Sequence, residues 1–230
     1  MENQETQKSP NAFVAFFQIL LTIFKNPING LANYYKSKEK HGLAVPIILI
    51  IIAVILFVSI PFLTTVFAYA RYIRYISTAF TVDFFITTFN LGLIPIFFVG
   101  FLALFTFLMK LIVAKKANFM QAFQMASFQT VLLSVLMLVV LTFSIFSGGF
   151  SLTSFNLSFW GGLYLLIVFY FLLMIISSVK QTLTLDNVEV KEILLWYVSP
   201  AIVLLSIYFS TLIYSGLTSF FSAILHYGLR

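Results

Sequence analysis

The side chains able to do acid–base, nucleophilic or metal chemistry are few in this chain, and their spacing keeps them apart. The two histidines, His41 and His226, both fall at the borders of apolar runs, on what topology makes opposite sides of a membrane. They cannot share a metal there, and a zinc hydrolase would need a His-Glu-x-x-His pair on one helical face, which does not occur. A serine hydrolase would need a base beside its nucleophile. Ser147-Gly148-Gly149 has neither the Gly-x-Ser-x-Gly setting nor a nearby histidine, and reads as a turn. No glycine-rich phosphate loop closes on a Lys followed by Ser or Thr. With no cysteine, disulfides, thiolate metal sites and a cysteine nucleophile are excluded. Asp186-Asn187-Val188-Glu189 reads as a capping box, with Asp186 as N-cap and Glu189 reaching back; Glu192 adds a third carboxylate. That acidic cluster suits a solvated helix end, or else a basic partner. No catalytic, cofactor-binding or metal-binding set is assembled, so the expectation is a non-enzymatic protein without a cofactor.

Uncharged polar residues inside apolar runs are more informative. Gln121, Gln124, Ser127, Thr130 and Ser134 wind along one such run, where amides and hydroxyls need partners in lipid. They serve either hydrogen bonding between the chain's own helices or a polar seam for a substrate or partner helix. Ser199, Ser206 and Ser210 recur at i, i+7 and i+11 on another run, and Ser206 with Ser210 forms a small-xxx-small pair suited to close packing. The candidate helix-docking seam is therefore Gln121, Gln124, Ser127, Ser206 and Ser210. Charged groups are expected at the edges of the runs, with Asp83 and Lys110 bracketing the second, because an ionised side chain costs at least about 2.5 kcal/mol at mid-bilayer.

Composition determines what must position these residues. Of 230 residues 61% are apolar and 9% charged, against about 25% charged in an ordinary globular protein. With a mean hydropathy of +1.07, such a chain could not cover its own surface in water. The net charge of +6 comes from basic residues that flank apolar runs without forming a stripe, which suits an anionic lipid leaflet better than nucleic acid. Five runs are long enough for a hydrocarbon core of about 30 Å: Leu43 to Phe67, Phe84 to Met109, Ala122 to Phe146, Phe159 to Ser178, and Ile193 to Leu217. Their continuous apolar character predicts helices, since barrel strands alternate. Pro61, Pro95 and Pro200 fall inside spans and predict kinks.

Phe13 to Phe24 is as apolar as a span, but twelve residues reach only about 18 Å. It is read as an in-plane interfacial helix, with a signal peptide as the alternative. After it, Asn26 is a plausible N-cap and Pro27 a first helical residue; Ile28, Leu31 and Tyr35 make one apolar face. Lys25, Lys36, Lys38 and Lys40 are then lipid-headgroup anchors, although a plain polar linker would carry the same lysines. Five spans put Lys8, Lys25, Lys36, Lys38, Lys40, Lys110, Lys115, Lys116, Lys180 and Lys191 on one side and Arg71, Arg74 and Arg230 on the other. That bias predicts a multi-pass cell-membrane protein with a cytoplasmic N-terminus and an external C-terminus. The expected fold is all-α: residues 1–42 a cytoplasmic segment with two interfacial amphipathic helices, 43–217 a five-helix transmembrane domain, and 218–230 a short external tail.

This pattern resembles the bacterial branch of the Yip1 family. The likeness lies in the five spans, the interfacial Lys25-Asn26-Pro27 element, the external C-terminus, and the basic turn Lys115-Lys116-Ala117-Asn118-Phe119-Met120-Gln121-Ala122-Phe123 that leads into the third span. The Asp-Leu-Tyr-Gly-Pro signature of eukaryotic members is absent, so no small-GTPase role is implied. The resemblance implies a non-enzymatic accessory or scaffold subunit of a larger membrane complex, such as an ABC-type exporter acting in export or antimicrobial-peptide defence. Membrane lipids and that complex are the expected partners, and no nucleic acid is. A stand-alone small-solute or lipid transporter or channel is the alternative.

Overall fold

Capping side chains start the helices where the sequence offers them. The computed structural model describes residues 11–26, 29–37, 43–69, 81–114, 117–146, 159–185 and 191–228. Among these residues are seven helices: α1 (Ala12–Lys25), α2 (Gly30–Ser37), α3 (Ala44–Tyr69), α4 (Val82–Ala114), α5 (Phe119–Phe146), α6 (Phe159–Thr184) and α7 (Glu192–Gly228). Asn11 Oδ1 accepts from the Phe13 N–H at 3.2 Å at the start of α1. Thr81 and Asn118 do the same for α4 and α5, accepting from Phe84 and Met120. Asn26 closes α1 and opens α2. Its N–H donates to the Thr22 carbonyl, while its Oδ1 accepts from Asn29 at 2.9 Å and its own carbonyl from Gly30 at 2.7 Å.

Five helices, α3 to α7, are long and apolar enough to cross a membrane, and α1 is not. Several run further than the apolar stretches that announced them. α4 continues past Met109 to Ala114, α6 past Ser178 to Thr184, and α7 past Leu217 to Gly228, so most of the expected C-terminal tail is helix. Hydropathy marks where lipid ends, whereas the backbone hydrogen-bond ladder of a helix can continue through polar residues. At 1.5 Å per residue α4 and α7 are about 50 and 55 Å long, well beyond a core of about 30 Å. Pro61, Pro95 and Pro200 lie within continuous helices. The turn at Ser147, the carboxylates Asp186 and Glu189, and Pro27, Ile28, Lys38, Lys40, His41, Arg71 and Arg74 lie outside the described residues.

Packing centres on α4 and α5. α3 lies against both, α7 makes its most extensive interface with α4, and α6 bridges α5 and α7. Gly92 lets α3 and α4 close: a Cβ there would stand 2.6 Å from Val58 Cγ2. Phe209 of α7 fits beside Phe101 and Phe105 of α4, with ring centroids 5.5 and 5.7 Å away. The α1–α2 hairpin covers the remaining side of α5. Ala15, Ile19 and Ile23 recur at i, i+4 and i+8 and are buried, and Tyr34 meets Phe128 of α5 edge-to-face at 5.5 Å. On α2 the buried residues are Gly30, Leu31, Ala32 and Tyr34, with Tyr35 only half-buried. The face expected from Leu31 and Tyr35 is thus turned by one residue, toward the neighbour that supplies an aromatic partner.

Candidate functional site

The third run was expected to carry a polar seam, and it becomes the most enclosed helix of the fold. From Gln121 to Ser134, α5 is buried or half-buried at every position, ringed by α3, α4, α6 and the α1–α2 hairpin. Gln121 faces Lys110, whose ammonium Nζ donates to Gln121 Oε1 at 2.6 Å. Lys110 is 2% exposed and Gln121 6%. The expectation placed Lys110 at the edge of the second span; the structure adds that protein encloses its side chain there. The helix carries on past the apolar run, so Lys110 enters the bundle four residues before α4 ends. A glutamine carbonyl meets it there, as a buried ammonium requires.

Gln124 is half-buried, whereas Ser127, Thr130 and Ser134 are fully buried. The Ser127 hydroxyl donates to the Gln124 carbonyl at 2.8 Å and that of Thr130 to the Ser127 carbonyl at 2.6 Å. On α7, Ser199, Ser206 and Ser210 are buried and donate to the carbonyls four residues back at 2.6 to 2.7 Å. Such back-bonding satisfies a hydroxyl inside its own helix and leaves a small, smooth face for a neighbour. All five residues of the candidate seam thus lie inside the chain's own packing or half inside it.

No family model, curated protein or solved structure matches the chain.

Three members of this polar layer are absent from the seam read off the sequence. Gln129 of α5 donates through Nε2 to Ser178 Oγ of α6, and the Thr182 hydroxyl donates to the Ser178 carbonyl at 2.9 Å. A signal was available: Gln121, Met125 and Gln129 are spaced by four and share a face, and all three are buried. Among the described residues, Gln129 Oε1 and both amide atoms of Gln181 have no hydrogen-bond partner. Thr106 lines the same region with Gln129 and Thr182. A narrow cleft with room for about one water lies between α4, α6 and α7, lined by Lys110, Val113, Leu183, Leu194, Leu195 and Val198.

The lysine-bearing end carries a second, exposed cluster. Lys180 of α6 pairs with Glu192 of α7 at 2.9 Å, and its ammonium lies 4.2 Å from the centre of the Trp196 ring. The pair joins two helices where they leave the bundle, and Glu192 stands in solvent. Lys25 and Lys36 are exposed on the hairpin. Tyr34 is the hairpin's buried polar residue; burial pushes its phenol above the ordinary tyrosine range, and its OH has no partner among the described residues.

Proposed function

We propose that this multi-pass membrane protein is a non-enzymatic accessory or scaffold subunit that binds a larger membrane complex through its apolar outer faces. One observation carries the reading: Lys110, Gln121, Gln129 and the buried serines of α5 and α7 are turned into the bundle, while α6 and α7 turn large apolar side chains outward. Leu166, Phe169, Tyr170 and Leu173 on α6, and Leu204 and Tyr208 on α7, are exposed. In lipid the hydrophobic effect does not discriminate between such faces and acyl chains, so a partner helix must win by shape. The Yip1-like pattern of the sequence makes an ABC-type exporter the partner class. The positive-inside bias places the lysine-bearing end in the cytoplasm.

The test joins photo-crosslinking with reconstitution. A crosslinking amino acid at Phe169 or Leu204 should capture a membrane complex with an ATPase subunit, and the protein alone in liposomes should move no solute above the rate of empty vesicles. Solute flux by the protein alone overturns the reading. One observation favours the transporter alternative: Lys110, Gln121 and Gln129 place a cation and amides in the interior of the bundle. On that reading flux appears and Lys110→Met abolishes it.

A further inference from the structure

We infer that the α1–α2 hairpin is a docking surface for an anionic lipid leaflet, formed by the row Phe13, Phe17, Leu21 and Phe24 together with Lys25 and Lys36. It concerns lipid rather than the protein partner, and it stands or falls apart from that reading.

α1 has two apolar faces. Ala15, Ile19 and Ile23 are buried against the bundle, while Phe13, Phe17, Leu21 and Phe24 remain 46 to 66% exposed. At 100° per residue the second row spans less than a quarter turn and lies roughly opposite the first. Such a row cannot face water, and a helix of 14 residues cannot cross the bilayer to hide it.

The level of the hairpin follows from α5. That helix has 28 residues, about 42 Å, some 12 Å more than a hydrocarbon core. Tyr34 touches Phe128, nine residues and so about 14 Å from the lysine-bearing end of α5. When the excess of α5 stands on that side, where Gln121, Gln124 and Ser127 are found, the hairpin rests at the boundary between hydrocarbon and headgroups. The phenylalanine row then enters the acyl chains.

Charge selects the kind of lipid. Lys25 ends α1 and Lys36 ends α2, both exposed, with no acidic residue on either helix. Lysines at such a surface attract anionic headgroups, with a local enrichment of about fivefold per lysine.

The experiment uses the whole protein with Trp160 and Trp196 changed to phenylalanine. A single tryptophan is then placed at Phe17→Trp, or at Leu166→Trp on the outer face of α6 as a reference. Fluorescence quenching is read in vesicles of brominated phosphatidylglycerol and of brominated phosphatidylcholine. The tryptophan at 17 should be quenched more by the anionic lipid, and that preference should fall about fivefold for each of Lys25→Gln and Lys36→Gln, with the melting temperature unchanged. The tryptophan at 166 should show no preference. Equal preference at both positions, or a preference at 17 indifferent to the lysines, overturns the inference. So does a tryptophan at 17 that neither lipid quenches, which would put protein, such as a second copy, on that face.

Discussion

Lys110 Nζ donates to Gln121 Oε1 at 2.6 Å, across the turn between α4 and α5 and within the lysine-bearing half of the bundle. The bond joins two helices that share the centre of the fold, and it explains why a glutamine opens an otherwise apolar span. Hydrogen bonds to a charged group contribute about 1.5 to 3 kcal/mol. Gln121→Leu should therefore lower the stability of the monomer by an amount in that range. A double-mutant cycle with Lys110→Met, read by unfolding in mixed micelles, should give a coupling of at least about 1 kcal/mol. A coupling near zero would mean that this bond does not hold α4 and α5 together.

Gly92 of α4 packs against α3, with Val58 in the way of any Cβ. Gly92→Ala should cost about 1 to 3 kcal/mol through overpacking. Adding Val58→Ala should restore most of the loss, since the second change removes the methyl groups that collide. Thermal melting of the three variants in detergent decides it, and a failure to rescue removes the steric explanation.

Tyr34 tests the hairpin's grip on α5. Tyr34→Phe keeps the edge-to-face contact with Phe128 and removes a buried hydroxyl without a partner among the described residues. It should leave stability unchanged or raise it by up to about 1 kcal/mol. Tyr34→Ala should cost about 3 kcal/mol and release α1 and α2 to faster hydrogen exchange while the spans stay protected. Unchanged exchange in α1 and α2 would show that the hairpin is held by other contacts.

Topology provides a fourth check. Reporter fusions at Lys8 and Arg230 should report opposite sides, with the N-terminus cytoplasmic. Cysteines introduced at Gln18 and Lys36, in a chain that has none, should label from the same side. Labelling from opposite sides would mean that α1 crosses the membrane.

The sequence by itself determined the class of protein, the number of apolar helices long enough to span and the shortness of the first helix. These follow from local quantities: how many consecutive apolar residues occur, and which charges flank them. Asn26 was also legible as a cap, because capping reaches only three or four residues along the chain. Helix ends beyond the lipid were less legible, since hydropathy falls before the backbone has any reason to stop.

Only the tertiary structure decided which side of a continuously apolar helix faces protein. On α1 nothing in the composition separates Ile19 from Phe17; packing against α3 and α5 does. Lys110 shows the same limit from the polar side. Its position at the end of an apolar run predicts a solvated lysine, and the neighbours brought up by α5 and α7 bury it. Polar residues in lipid must find partners, and whether these belong to the same chain depends on which helices become neighbours. For Gln121 and the Gln129 Nε2 the chain supplies those neighbours itself, Lys110 of α4 and Ser178 of α6, while the serines of α7 bond within their own helix.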